Sequence, residues 1–158
     1  AGASALADVG ISAMRMQVQY TALGATVLND AYNANPMSMR VALKTFSESE
    51  SAADKWLVLG GMLELGKIEM KEHEELGRHL SRENWKGLVV VGSLGGLIAD
   101  GAERAGFGAG RIFRCRDNAE TAGVLAREIR AGHAVLLKAS RGIHLEESVE
   151  EWRRRIEH

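Results

Sequence analysis

The chain predicts an α/β fold: an open, Rossmann-like, mostly parallel sheet with helices on both faces, preceded by a short edge strand. Three observations carry this. Four short apolar runs recur, K-W-L-V-L-G (55–60), G-L-V-V-V-G (87–92), R-I-F-R-C (111–115) and A-V-L-L-K-A (134–139). Three of them are apolar without alternation, as strands buried on both faces of a parallel sheet are. Helical patterns fall between the runs, and strand–helix alternation is how crossover helices come to cover such a sheet.

The elements follow in order. Residues 1–13 are small and weakly patterned and read as a linker or the end of a preceding helix, leaving 14–158 as the domain. Met14 to Tyr20 (M-R-M-Q-V-Q-Y) alternates, which predicts a half-exposed strand. Thr26 to Leu28 is a short apolar strand running into an elbow at Asp30. Asn35 and Pro36, the sole proline, suit an N-cap and first helical position. Met39, Ala42, Leu43 and Phe46 then repeat at helical spacing. Further helices are expected at roughly 68–83, 94–105, 118–130 and 144–157. The last carries Leu145, Val149, Trp152 and Ile156 on one stripe, with glutamates at its start and arginines at its end, as the helix dipole favours.

At 158 residues the chain suffices for one domain with a core. Hydrophobic residues at 46 % and charged residues at 26 % are ordinary for a globular protein. A net charge of -1 argues against a broad nucleic-acid or membrane-surface footprint, since both need basic excess. The single cysteine, Cys115, excludes an internal disulfide and a cysteine-only metal site. No apolar run approaches the ~20 residues of a membrane span, and a cytoplasmic location is the default expectation.

Chemistry concentrates in three segments. Leu28 to Met39 reads L-N-D-A-Y-N-A-N-P-M-S-M, with Asp30, Tyr32, Asn33 and Asn35 crowded where a strand meets a helix. Ligands of open α/β sheets bind outside the carboxyl ends of strands. Leu59 to Gly66 reads L-G-G-M-L-E-L-G, followed by His73. His73 shares a helix face with Leu76 and Leu80, so a buried, hydrogen-bonded core histidine is expected rather than a catalyst. Leu137 to Glu147 reads L-K-A-S-R-G-I-H-L-E-E; Ser140, Arg141 and nearby amides suggest a small anion-friendly nest at a strand end. The guanidinium fork of Arg141 suits a carboxylate or phosphate.

Two glycine-rich motifs are rejected. Gly61 to Lys67 matches GxxxxGK, yet position 68 is Ile, not the hydroxyl residue that holds Mg²⁺, and Glu64 sets a carboxylate where phosphates would lie. Gly92 to Gly96 (G-S-L-G-G) is a tight strand–helix turn without the spacing of a dinucleotide fingerprint.

Taken together, the three segments resemble the C-terminal domain of the Mur ligases, whose pattern is D-x-Y-N-A-N-P-x-S-M, then L-G-D-M-x-E-L-G with a downstream His, then K-G-S-R. Here they stand as Asp30 to Met39, Leu59 to Gly66 with His73, and Lys138 to Arg141, and the resemblance runs from about Arg15 to Trp152. The first motif points to the branch that takes D-alanyl-D-alanine. The resemblance implies an ATP- and Mg²⁺-dependent ligase of peptidoglycan precursor synthesis. The carboxylate of UDP-N-acetylmuramoyl-tripeptide is activated as an acyl phosphate and attacked by the amine of D-alanyl-D-alanine. It further implies that Asp30 accepts from ribose hydroxyls, with Tyr32, Asn33 and Asn35 near the adenosine and Arg15 reaching the nucleotide. Ser140 and Arg141 would hold the incoming dipeptide, with Gly61 and Met62 beside them. No catalytic or metal-ligating residue is assigned. The substrate and ATPase domains of a complete ligase are expected elsewhere, residues 1–13 reading as the end of the ATPase domain, and the isolated domain is expected to be inactive. Gly61 stands where the family usually has Asp, and Ala139 where it has Gly. That leaves two alternatives: a Mur-type ligase for a different amine, and a non-catalytic nucleotide- or ligand-binding module.

Overall fold

The computed structural model describes residues 17–21, 23–31, 33–49 and 54–157; Arg15, Tyr32 and the expected 1–13 linker lie outside them. The elements run β1 (Gln17–Tyr20), β2 (Thr26–Asp30), α1 (Pro36–Glu48), β3 (Lys55–Leu59), α2 (Glu69–Leu80), β4 (Gly87–Val91), α3 (Gly92–Arg104), β5 (Ile112–Cys115), α4 (Asn118–Glu128), β6 (Ala134–Lys138) and α5 (Glu146–Ile156). The six strands form one sheet in the order β1-β2-β6-β3-β4-β5. Only β1 pairs antiparallel, with β2; β2, β6, β3, β4 and β5 are mutually parallel.

Period-2 alternation divides the core in two. Leu28, Leu57, Leu59, Leu88, Val90 and Leu136 face one layer with Met39, Leu43 and Phe46 of α1, Leu76 and Leu80 of α2, and Ile98 of α3. Val27, Val58, Val89, Val135 and Leu137 face the other, with Leu125 of α4 and Val149 and Trp152 of α5. Both faces are therefore dry along β3, β4 and β6, which explains why these strands read as unbroken apolar runs. Each fully buried Leu or Val contributes about 1.5–3 kcal/mol.

The helices end and begin as local chemistry dictates. Asn35 caps α1 by accepting from the Ser38 amide at 2.8 Å, while Ser38 Oγ accepts from the Asn35 amide at 3.0 Å, closing a capping box around Pro36. At the far end α1 has no basic residue in its last turn; Lys55 on β3 instead donates to the carbonyls of Ser47 (3.0 Å) and Ser49. Helix α2 lies close against α3 because Gly77 and Gly101 face each other's backbone. A Cβ on Gly77 would sit 2.0 Å from the Ile98 carbonyl oxygen, and one on Gly101 2.0 Å from that of Glu74.

The sequence placed the strands and helices within a few residues. One boundary differs with consequence: β2 continues through Asp30, so Asp30 ends the strand rather than opening the elbow. Another concerns the last helix. Residues Arg141–Ile143 form a separate 3₁₀ turn, ended by His144 in the left-handed region (φ 55°), and α5 starts at Glu146.

Candidate functional site

Strand order fixes where a ligand site can form. The chain leaves β2 and β3 toward α1 and α2 on one face, whereas it leaves β6, which lies between them, toward α5 on the other. The connections diverge at the carboxyl end of β6, and a crevice opens at such a switch point. All three chemical segments meet there: Asp30 to Asn35 after β2, Gly60 to Gly66 after β3, and Lys138 to His144 after β6.

Parallel register sets Asp30 and Lys138 beside each other on neighbouring strands. Lys138 Nζ donates to Asp30 Oδ2 at 2.5 Å and to the Asn33 carbonyl at 2.9 Å. Both side chains are nearly sealed, at 6 % and 2 % exposure. Burial pushes the Asp30 carboxyl above its ordinary range, and the Lys138 ammonium recovers part of that. One oxygen of Asp30, the residue expected to face ribose hydroxyls, holds the lysine that fixes the Asn33 carbonyl.

Ser140 performs a similar role one step further along. It is 8 % exposed. Its Oγ accepts from the Leu63 amide at 2.8 Å and donates to the Ala34 carbonyl at 3.4 Å. Its own amide donates to the Gly61 carbonyl, and the Gly60 amide to the Lys138 carbonyl, each at 3.0 Å. One hydroxyl thus ties the three loops together. It does not cap the following turn. Arg141, the next residue, is exposed at the rim.

His73 is the buried core histidine that its helix face implied. Nε2 accepts from the Met62 amide at 2.9 Å, and Nδ1 lies 2.6 Å from the Glu69 carbonyl, so the ring carries its proton on Nδ1. The Met62 side chain lies in the core at 0 % exposure. Met62 therefore shapes the crevice through its backbone. These bonds also explain why Gly61 to Lys67 makes no phosphate cradle: the amides of Met62 and Leu63 already have protein partners. The loop turns at Glu64 and Gly66, both with positive φ (65° and 62°), leaving Glu64 and Lys67 exposed.

Gly61 is closely covered. A Cβ there would lie 2.7 Å from both Cβ and Cδ1 of Leu94, in the first turn of α3. An apolar side chain thus stands where a residue larger than glycine at position 61 would have to project.

Of the expected residues, the structure brings Asp30, Asn33, Gly61, Met62, Ser140 and Arg141 to one crevice. Asn33 is exposed, and the Asn35 side chain is committed to the α1 cap. Two participants had no assigned role in the sequence. Lys138 had a readable signal: a lysine ending an apolar strand buried on both faces must find a partner. Asn29, whose Oδ1 accepts from the Ala31 amide at 3.1 Å and shapes the exit from β2, had none. Among the described residues no cluster of His, Cys, Asp and Glu could hold a metal ion. Nor is any described helix long and apolar enough to cross a membrane.

The pattern of the family described as "Mur ligase, glutamate ligase domain" matches residues 14–141. The chain belongs to the Mur ligase family. It is 35 % identical, over 149 residues, to UDP-N-acetylmuramoyl-tripeptide--D-alanyl-D-alanine ligase of Bacillus subtilis, covering 94 % of this chain and 32 % of that one. The enzyme of the same name from Mycobacterium tuberculosis is 37 % identical over 147 residues, covering 82 % and 29 %. Among solved structures, MurF ligase of Thermotoga maritima in complex with ADP superposes with a TM-score of 0.74 at 27 % identity, covering 90 % of this chain and 31 % of that one. MurF of Acinetobacter baumannii gives 0.77 at 27 %, covering 89 % and 30 %. The chain is a Mur ligase C-terminal domain, and it spans about a third of the length of the relatives it matches.

Proposed function

We propose that this domain is the acceptor-binding lobe of an ATP-dependent ligase that adds D-alanyl-D-alanine to UDP-N-acetylmuramoyl-tripeptide, a cytoplasmic step of peptidoglycan synthesis. The observation that carries the reading is the convergence of three family motifs on one switch-point crevice, in a chain whose matched relatives bear that activity in their names. The lobe's work is positioning. It presents the dipeptide amine to an acyl phosphate formed elsewhere in the enzyme, which makes the encounter effectively intramolecular. Arg141 at the rim pairs with the dipeptide carboxylate, and the pinned backbone from Gly60 to Met62 forms the wall opposite. Asn33 and the backbone held by the Asp30–Lys138 pair serve the nucleotide side, the role that the family resemblance also gives to Tyr32 and Arg15. ATP enters with Mg²⁺ in the assembled enzyme, and the domain alone forms no amide.

The apolar cover that Leu94 lays over Gly61 favours an acceptor without a cationic side chain at that point. This fits D-alanyl-D-alanine and disfavours a diamino acid.

An NMR amide-shift titration of the chain tests the reading, with D-alanyl-D-alanine first and Mg-ATP second. Saturable dipeptide shifts around residues 140–142 and 60–62 are expected. A saturable response to another amine, with the dipeptide silent, transfers the reading to a different acceptor. Silence toward every amine and toward Mg-ATP overturns it.

A further inference from the structure

A second site lies at the opposite end of the molecule. Helices that follow parallel strands run back toward the strands' amino ends, so a groove lined from Arg40 to Glu48 of α1 and by the end of α2 leads away from the motif loops. While α2 meets α3 through glycines, it stands apart from α1, and a groove of about 450 Å³ opens between them. That volume is in the range of small-molecule sites.

Its floor is rigid and its rim is basic. Leu43, Leu80 and Trp85 form the base and are nearly sealed. The Trp85 indole stacks on Phe46 with centroids 5.7 Å apart and donates to the Leu80 carbonyl at 2.9 Å. Val41, 47 % exposed, adds an apolar wall. Arg40 and Lys44 rise from α1, His79 from the last turn of α2 and Arg82 from the turn that follows it. Elsewhere most exposed arginines are tied to carboxylates: Arg78, Arg104, Arg114, Arg116, Arg154 and Arg155 all form ion pairs. Arg40, Lys44 and Arg82 form none with any carboxylate of the described residues, although Glu48 and Glu83 line the same groove. Burial, Arg40 and Arg82 together hold His79 below the ordinary imidazole range, Glu83 opposing them, so the ring meets a ligand as a neutral donor near pH 7.

We propose that this groove binds a phosphate monoester, its phosphate held by Arg40, Lys44 and Arg82 and its apolar body laid on Val41 and the floor beneath it. Two guanidinium forks suit phosphate oxygens bidentately, and a dianion offsets three cations that form no ion pair with a carboxylate of the described residues. The site lies between α1 and α2 and shares no lining residue with the acceptor loops. Its ligand is therefore an effector or a tethering group rather than a reactant at the motif loops.

The test is an NMR titration of the 158-residue chain with inorganic phosphate and with phenyl phosphate, at ionic strength held constant with sodium chloride. Saturable shifts are expected at residues 40–48 and 79–85, tighter for phenyl phosphate. Arg40→Gln and Arg82→Gln each weaken binding about tenfold or more, the scale of a hydrogen bond to a charged group, and Lys67→Gln, in the turn before α2 and outside the groove, leaves it unchanged. Four results overturn the site: shifts that never saturate; shifts at 138–142 instead; equal affinity in the Arg→Gln variants; or phenyl phosphate binding no tighter than phosphate. Because the acceptor titration reports on other amides and another ligand, either reading can fail without the other.

Discussion

The two ends of the sheet treat charge in opposite ways. At the carboxyl end a lysine and an aspartate are sealed from water and spend their hydrogen bonds on each other and on loop backbone. Toward the amino end three cations stand around an open groove, and no carboxylate of the described residues is paired to them. The first arrangement builds a shape; the second waits for a ligand. Charge inside this domain thus holds loops in place, and charge at the groove rim remains available for binding.

The largest effect is expected where the sealed pair is broken. Lys138→Met leaves the Asp30 carboxylate buried without its ammonium and the Asn33 carbonyl without its donor, and should cost about 3–5 kcal/mol in urea unfolding. Adding Asp30→Leu should recover most of that loss, since an apolar pair often replaces a buried ion pair without penalty. The double variant should still lose ligand response at the Asn33 loop. A double variant as unstable as the single one would mean that the pair holds more than charge.

Reading the chain alone captured the sheet because burial on both faces leaves an unmistakable run such as G-L-V-V-V-G, and it captured His73 because Leu76 and Leu80 marked its face. The site was legible as segments and less so as contacts. Ser140 and Asp30 read as ligand-facing because a sequence shows which polar residues gather at a strand end. It does not show that parallel register sets Asp30 against Lys138, or that Ser140 lies between Leu63 and Ala34. Those pairings arise from crossovers that bring residues more than 70 positions apart into contact.

A second test sharpens the carboxyl end. Gly61→Asp restores the residue usual in the family. Because its Cβ would meet Leu94 at 2.7 Å, it should cost about 1–3 kcal/mol, the range of overpacking. Leu94→Ala should remove most of that penalty, and a thermodynamic cycle over the two positions should show coupling. Additive effects would mean that the loop after β3 moves aside freely, contrary to its pinning by His73 and Ser140.

Smaller still, Ser140→Ala should cost about 0.5–1.5 kcal/mol, the net worth of one hydrogen bond, because it removes the acceptor of the half-buried Leu63 amide. Hydrogen exchange distinguishes a pin from mere packing. The Leu63 amide should lose protection, while amides inside β4, the strand next to β3, keep theirs.

The smallest stability change belongs to the groove. Arg40→Gln alters an exposed side chain that forms no ion pair among the described residues, so global stability should move by no more than about 0.5 kcal/mol. Its effect should appear in titration. His79 in the folded chain lies below its ordinary value of 6.5, so its contribution to stability is fully present above pH 6.5 and is lost as the pH falls through the lowered folded value. Burial is the largest cause and Arg40 the next, so removing Arg40 should raise the His79 midpoint without restoring it fully and should shrink the loss of stability on acidification. Lys138 should show no such gain: its removal costs stability because its charge is already matched, whereas removing Arg40 relieves a neighbour because its charge is not. An unchanged His79 titration in Arg40→Gln would mean that the groove's cations do not share one field, and the contrast between the two ends of the sheet would fail at the amino end.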